Sequence, residues 1–214
     1  MSIGQAGALE SKCEAGLVAE TIATYDLGAD VYGRRFAQVD MGVYLDRFAE
    51  LIPLGSITLD AGCGSGRDLA WLRAQGIRAV GLDRSTGMLR LARRSVQGGL
   101  LVRGDLRRLP FSAATFGGVW QCASLVHLSR PQTVMALAEV ERVLTPGGVV
   151  FLSVATGGEP EWRASYAGRR WFHYYDGGDL NAMLQSVGLT VLTSATEPGV
   201  VRGSWVNVFA RKAR

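Results

Sequence analysis

Between Ile57 and Gln75 a short apolar run, a glycine-rich turn and a helical pattern follow one another without a spacer. The run Ile57-Thr58-Leu59 ends in Asp60, the turn Ala61-Gly62-Cys63-Gly64-Ser65-Gly66 holds three glycines, and the helical pattern covers Asp68–Gln75. A strand that feeds a helix through so tight a turn belongs in an open α/β sheet, and such sheets bind ligands at the carboxyl ends of their strands. Glycines there let backbone N–H groups approach a ligand that any Cβ would push away. An ordinary strand-to-helix turn looks the same, so context has to decide. The context is a second acid: Asp83 closes the apolar run Ala79-Val80-Gly81-Leu82, 17 residues after Gly66. An acid at that place can accept hydrogen bonds from both ribose hydroxyls of a nucleoside. It also stands two residues before Ser85, a candidate helix N-cap, where the helix dipole favours a carboxylate.

The rest of the chain repeats this texture. Short apolar runs at Ile57–Asp60, Arg78–Asp83, Leu100–Arg103, Gly118–Cys122, Val149–Val154, Leu189–Thr193 and Ser204–Ala210 alternate with helical patterns at Asp68–Gln75, Ser85–Ser95, Gln132–Leu144 and Gly178–Val187. Alternation of this kind predicts an α/β fold, a doubly wound, mostly parallel sheet with helices on both faces. Before it, residues 1–11 read as a loose tail. From about Cys13 to Ile52 the pattern is helical and interrupted, with Phe36, Val39, Val43, Leu45, Phe48 and Leu51 recurring at helix-like spacing before Pro53. Neither a repeat nor a low-complexity linker divides the 214 residues, which suit one large domain.

Composition removes several classes of function. An apolar fraction of 48% with 20% charged residues excludes intrinsic disorder as the main state. Cys13, Cys63 and Cys122 are far apart and form no CxxC pair, so neither a disulfide scaffold nor a zinc site is expected, and no metal is. The opening MSIGQAGALE lacks a basic segment followed by an apolar run, and no apolar stretch reaches about 18 residues, so the expectation is a cytoplasmic chain without a membrane span. The net charge of +4 is modest and reads as a solvated surface before it reads as a nucleic-acid footprint.

The glycine spacing separates ligand classes. Dinucleotide folds favour GxGxxG, whereas Asp60-Ala61 here precedes GxGxG. At this point the chain resembles the class I S-adenosylmethionine (SAM)-dependent methyltransferases, of the small-molecule type broadly similar to the ubiquinone and menaquinone enzymes, from about Tyr25 to the C-terminus. Three further segments carry the resemblance: Arg103-Gly104-Asp105-Leu106 through Phe111, Phe116–Leu128, and Leu144-Thr145-Pro146-Gly147-Gly148 before Val149–Ser153. Twenty-three residues separate Asp60 from Asp83, and 22 separate Asp83 from Asp105. The resemblance implies a Rossmann-like seven-stranded sheet whose last strand, near Ser204–Ala210, is antiparallel. It implies an N-terminal helical cap over residues 1–52, a SAM-binding core over 53–154, an acceptor lid over 155–177 and a C-terminal helix with strands over 178–214. It further implies that Asp60, Ala61, Gly62, Gly64, Gly66, Asp83, Arg84, Met88 and Gln121 hold SAM, that Asp105 accepts from the adenine amino group beside the Leu106 N–H, and that Tyr25 and Tyr32 close over the cofactor.

Methyl transfer from a sulfonium releases a neutral thioether, so it needs alignment and water exclusion, and a base only when the acceptor must lose a proton. The chain has two histidines to offer, His127 after the fourth run and His173 in an aromatic segment. If either is the base, its replacement by Ala lowers turnover about 10²-fold or more while SAM affinity holds. Residues 162–175 hold six of the 18 aromatics, among them Trp162, Trp171 and Tyr174. With Arg163, Arg169 and Arg170, these predict an acceptor wall for a flat or charged small molecule, with Trp162, Arg170, Trp171 and Tyr174 as contacts. Cys63 and Cys122 read as small apolar fillers. The expected function is methyl transfer to O or N of a small-molecule acceptor, by a monomer or homodimer. The alternatives are an RNA or protein methyltransferase, a non-catalytic SAM-binding partner protein, and an NAD-type oxidoreductase. Motifs of the DNA and protein-arginine enzymes are absent.

Overall fold

In the computed structural model, which describes residues 3–199 and 203–214, nine strands and six helices alternate. Helix α1 (Ile3–Phe36) and α2 (Gly42–Leu51) precede β1 (Ile57–Ala61), α3 (Arg67–Ala74), β2 (Arg78–Asp83), α4 (Thr86–Ser95), β3 (Leu100–Arg103) and β4 (Phe116–Cys122). A 3₁₀ turn (Leu125–His127), α5 (Arg130–Val143), β5 (Leu144–Thr156), β6 (Glu161–Ser165), β7 (Gly168–Phe172), α6 (Gly177–Ser186), β8 (Leu189–Pro198) and β9 (Ser204–Lys212) complete it. Residues 3–11, expected as a tail, are helical turns of α1. Glycines at 16, 28 and 33 weaken the helical signal of that long segment, and tertiary contacts override it.

Seven strands form one sheet in the order β3-β2-β1-β4-β5-β9-β8. The first five are mutually parallel and β9 runs antiparallel between β5 and β8, as the resemblance implies. The two remaining strands, β6 and β7, make a separate hairpin that the apolar runs did not announce. Strands buried on both faces read as continuous apolar runs, and the parallel β4 and β5 and the antiparallel β9 are of that kind. On one face α2 and α3 cover Trp120, Phe151 and Phe209, which pair across β4, β5 and β9. Trp120 stacks on Phe151 at 4.1 Å, and its indole N–H donates to Asp68 at 2.9 Å. On the other face α5 and α6 cover Val119, Leu152, Val206 and Val208. The N-terminus of α5 explains its start: Pro131 needs no donor in a first turn, and Gln132 accepts from the Ser129 N–H at 3.2 Å.

Helix α1 meets the core of these layers through Val18 and Ile22. It lies between α4 and β7, touching the 3₁₀ turn. Asp26 fixes one side, accepting from Ser85 Oγ at 2.6 Å and the Gly87 N–H at 2.8 Å. Thr21 and Thr24 fix the other, bonded to the Trp171 N–H at 2.9 Å and the Arg169 carbonyl at 2.8 Å. Among the described residues no helix is long and apolar enough to cross a membrane.

Candidate active site

The glycine turn is pinned before any ligand is considered. The N–H groups of Gly62 and Cys63 donate to the Leu82 carbonyl at 2.7 and 2.9 Å, which ties the turn to β2. Its glycines serve different ends. Gly62 (φ +88°) would place a Cβ 2.4 Å from that of Ser124, so it allows a close approach within the protein. Gly64 (φ +52°) has nothing within 4 Å of an added Cβ: it opens on a cavity. Gly66 packs on Ala92 of α4, and neither it nor Ala61 reaches the cavity wall.

Asp83 lines that cavity and does what its second sequence reading requires. Its oxygens accept from the Ser85 N–H at 2.8 Å and the Gly64 N–H at 2.9 Å. Burial raises its pKa against these donors. Each carboxylate oxygen keeps a further acceptor position, so the ribose reading survives beside it. Asp105 is more heavily engaged, by Arg84 at 2.9 Å and by the side chain and N–H of Arg107 at 2.7 to 3.0 Å. Burial alone would raise its pKa, but the Arg107 hydrogen bonds outweigh that and hold it below the usual range. An adenine amino group would share Asp105 with two guanidiniums. Arg84, Met88 and Leu106 lie on the same wall. Asp60 sits at the cavity floor with Oδ2 buried and unpartnered, and burial together with nearby Asp68 pushes it well toward the neutral acid. Gln121, by contrast, is fully buried in β4 and off the wall. Its apolar strand turns the amide into the interior, away from any cofactor space.

Across the cavity, α1 and the hairpin meet the 3₁₀ turn. His127 Nδ1 is 2.6 Å from the Trp171 carbonyl and Nε2 is 2.8 Å from Tyr25 Oη. A carbonyl only accepts, so Nδ1 carries the hydrogen and the Tyr25 hydroxyl donates to Nε2. Tyr25 Oη in turn accepts from Arg170 at 3.1 Å and is 3.4 Å from Tyr32 Oη. Burial lowers the His127 pKa to about 4, and the Arg170 charge adds to that against the pull of the Trp171 carbonyl. His127 thus has both ring nitrogens in hydrogen bonds and latches α1 to the hairpin at the cavity wall. His173 is off the wall: its N–H donates to the Val126 carbonyl at 2.7 Å and its ring sits 4.8 Å from Tyr175.

Of the expected acceptor contacts, Trp162 and Arg170 line the cavity and Trp171 and Tyr174 do not. Trp162 and Trp171 pair in the hairpin register with ring centroids 5.6 Å apart, and of the two Trp162 is the one at the wall. Tyr174 instead donates to Glu161 at 2.6 Å. Burial pushes the Cys122 thiol up to about 12 and raises that of Cys63 as well, in keeping with fillers.

Sequence reasoning missed one group on the wall. Cys122, Ser153 and Asn207 pair in register across β4, β5 and β9, one step beyond the aromatic row. Asn207 donates Nδ2–H to Tyr44 Oη at 2.9 Å, and the Tyr44 hydroxyl donates to Glu197. That direction leaves Asn207 Oδ1, buried and unpartnered, as a free acceptor in a side chain only 7% exposed. The signal was a single polar residue inside each of two apolar runs. Cofactor loop, latch and polar row border one cavity of about 1030 Å³.

Residues 59–152 match a family model described as a methyltransferase domain. A methyltransferase relative from Encephalitozoon cuniculi is 34% identical over 161 residues, 66% of this chain and 74% of that one. The chain belongs to the class I SAM-dependent methyltransferases. It spans 37% of the malonyl-[acyl-carrier protein] O-methyltransferase of Erwinia pyrifoliae, with 38% identity over 100 residues, 47% of this methyltransferase chain. Among solved structures, 1,6-didemethyltoxoflavin-N1-methyltransferase of Burkholderia thailandensis, with bound 1,6-didemethyltoxoflavin and S-adenosylhomocysteine (SAH), shares the fold. Its TM-score is 0.74 at 24% identity, covering 95% of this chain and 90% of that one. The site of this methyltransferase fits SAM, the family's cofactor, on two observations: the space beside Gly64 that a Cβ would fill is free, and Asp60 Oδ2 at the wall lacks a partner.

Proposed function

We propose that the chain transfers a methyl group from SAM to an oxygen or nitrogen of a small acceptor held between the glycine turn and the β6–β7 hairpin. The observation that carries this reading is the shared cavity, whose wall includes Gly64, Asp83 and Leu106 at one side and Trp162, Arg170 and Phe172 at the other. Its volume of about 1030 Å³ is at the upper end of ligand sites, about 300–1,000 Å³, and so has room for a cofactor and a small acceptor together. The small heterocycle 1,6-didemethyltoxoflavin named with a structural neighbour supports a small acceptor, and a relative named for O-methylation of malonyl-[acyl-carrier protein] supports oxygen as one acceptor atom.

When bound, SAM supplies an electrophilic methyl group whose departure leaves a neutral thioether. Gly64 gives the backbone room to approach it, and Asp83 and Asp105 offer acceptors for its hydroxyl and amino groups. Met88 and Leu106 supply apolar walls, and Tyr25 and Tyr32 cover it from α1. The closed α1 and hairpin exclude water and hold the acceptor in line, which supplies rate without a proton acceptor. His127 keeps its Nδ1 hydrogen on the Trp171 carbonyl and takes the Tyr25 hydrogen on Nε2, so in this reading it takes no proton from the acceptor, and an acceptor atom that is already nucleophilic is favoured. The test is calorimetric titration with SAH against NAD, then transfer of labelled methyl from SAM to a panel of small hydroxyl, carboxyl and amine acceptors. One-to-one micromolar binding of SAH alone and label in a small product are expected; NAD binding, or label only in RNA or protein, overturns the reading.

A further inference from the structure

We propose that Arg170 is the carboxylate-docking group of the cavity. This rests on the methyltransferase reading and adds the chemistry of the ligand. Of the three arginines that the aromatic segment offers, two are spent: Arg169 on Glu20 at 2.6 Å and Arg163 on Glu161 at 2.8 Å. Arg35, also on the wall, donates to the Tyr166 hydroxyl at 3.0 Å. Arg170 forms no ion pair among the described residues. Its guanidinium lies over the rings of Tyr25, Tyr32 and Phe172, with centroids 5.4, 4.9 and 5.3 Å away, and Nε is buried without a partner.

Aromatic faces hold a cation but leave the rest of its N–H fork, beyond the Nη1 bond to Tyr25, without an anion. A planar carboxylate fills that fork with two parallel hydrogen bonds. One guanidinium without an ion pair balances one negative charge, which favours a carboxylate over a phosphate dianion. The latch keeps the fork aimed. Because His127 Nδ1–H goes to the Trp171 carbonyl and the Tyr25 hydrogen goes to Nε2, Tyr25 Oη can only accept from Arg170, and the neutral imidazole adds no repulsion.

The carboxylate belongs either to the amino-acid end of the cofactor or to the acceptor. Calorimetry separates them. Wild type and Arg170→Met are titrated with SAH and with 5′-methylthioadenosine, which lacks the amino-acid end. The SAH-loaded proteins are then titrated with acetate, malonate and benzoate, each against its amide, and with inorganic phosphate. A wild-type preference for SAH over methylthioadenosine of at least tenfold that Arg170→Met abolishes supports the proposal through the cofactor. An unchanged SAH affinity with a tenfold carboxylate-over-amide preference that Arg170→Met abolishes supports it through the acceptor. Preferences equal in both proteins, or tighter binding of phosphate than of every carboxylate, overturn it. If Arg170→Met does not melt cooperatively, Arg170→Gln, which keeps a donor toward Tyr25 without the charge, gives the same reading. A wild type that binds neither nucleoside sinks the methyltransferase reading separately, and the carboxylate panel on the ligand-free chain then decides Arg170 by itself.

Discussion

Two glycines of one turn answer to different constraints, and substitution separates them. Gly64→Ala puts a methyl into open space at φ +52°, a left-handed strain of about 1–2 kcal/mol. The fold survives, but the methyl occupies cofactor space, and SAH affinity is expected to fall at least tenfold. Gly62→Ala drives its methyl to 2.4 Å from Ser124 Cβ and is expected to cost about 3 kcal/mol in overpacking and strain. Urea melts and SAH titration of the pair check this; equal loss of stability in both would refute the division of roles. His127 titrates in the same spirit. Above about pH 6.5 it is neutral folded and unfolded. As pH falls from there to about 4, the unfolded chain takes a proton that the folded chain refuses, so stability drops with falling pH, by roughly 3 kcal/mol in full. Replacing His127 by Gln is expected to flatten the wild-type difference in melting temperature between pH 7 and pH 5, and to leave turnover within about tenfold. A hundredfold fall with intact SAH affinity would restore histidine as the base.

At the scale of elements, α1 is a cover hung from both sides, and its fixings can be cut one at a time. Asp26→Ala strands the Gly87 N–H and the Ser85 hydroxyl, at a cost of about 1–3 kcal/mol. Faster hydrogen exchange is expected in α1 between Thr21 and Phe36, with severalfold weaker SAH binding and an unchanged sheet; exchange that rises evenly everywhere would show α1 to be part of the core. What the sequence discloses follows the same division. The parallel strands β1, β4 and β5 are legible because burial on both faces writes them as apolar runs, and β2 and β3, toward the sheet edge, are legible from their apolar residues and their spacing. The hairpin is not: Trp162-Arg163 and Arg169-Arg170-Trp171 mix charge and aromatics because they face α1 and a cavity, where no uniform solvent sets a two-residue period. The polar row is hidden for another reason. Ser153, Asn207 and Tyr44 are far apart in the chain, and only the β5–β9 register and α2 bring them together. Asp83 and Gly64, by contrast, belong to one strand–turn–helix unit and its neighbour, so local spacing alone places them.

For the whole molecule, the separation of cover from core has a thermodynamic consequence. Most contacts of α1 run to α4, β7 and the 3₁₀ turn, with Val18 reaching the core and Arg67 of α3 donating to the Phe36 carbonyl at 3.3 Å, and none of these is a pairing of the sheet, so the cover can open while β1, β4 and β5 stay paired. A ligand in the cavity touches both sides and couples them. At a hundredfold saturation a ligand that binds only the folded state stabilises it by about 2.7 kcal/mol. For a chain of this length that is a rise in melting temperature of about 5–10 °C, at 2–4 °C per kcal/mol. Exchange distributes the same energy by site. Local opening of α1 and the hairpin costs less than global unfolding, so their amides gain protection from closure as well as from global stability. Saturating SAH is therefore expected to slow exchange in α1 and β6–β7 by a larger factor than in β4 and β5. Equal factors throughout would mean that the cover never opens without the sheet, and the cavity would then have to load its ligands by another route.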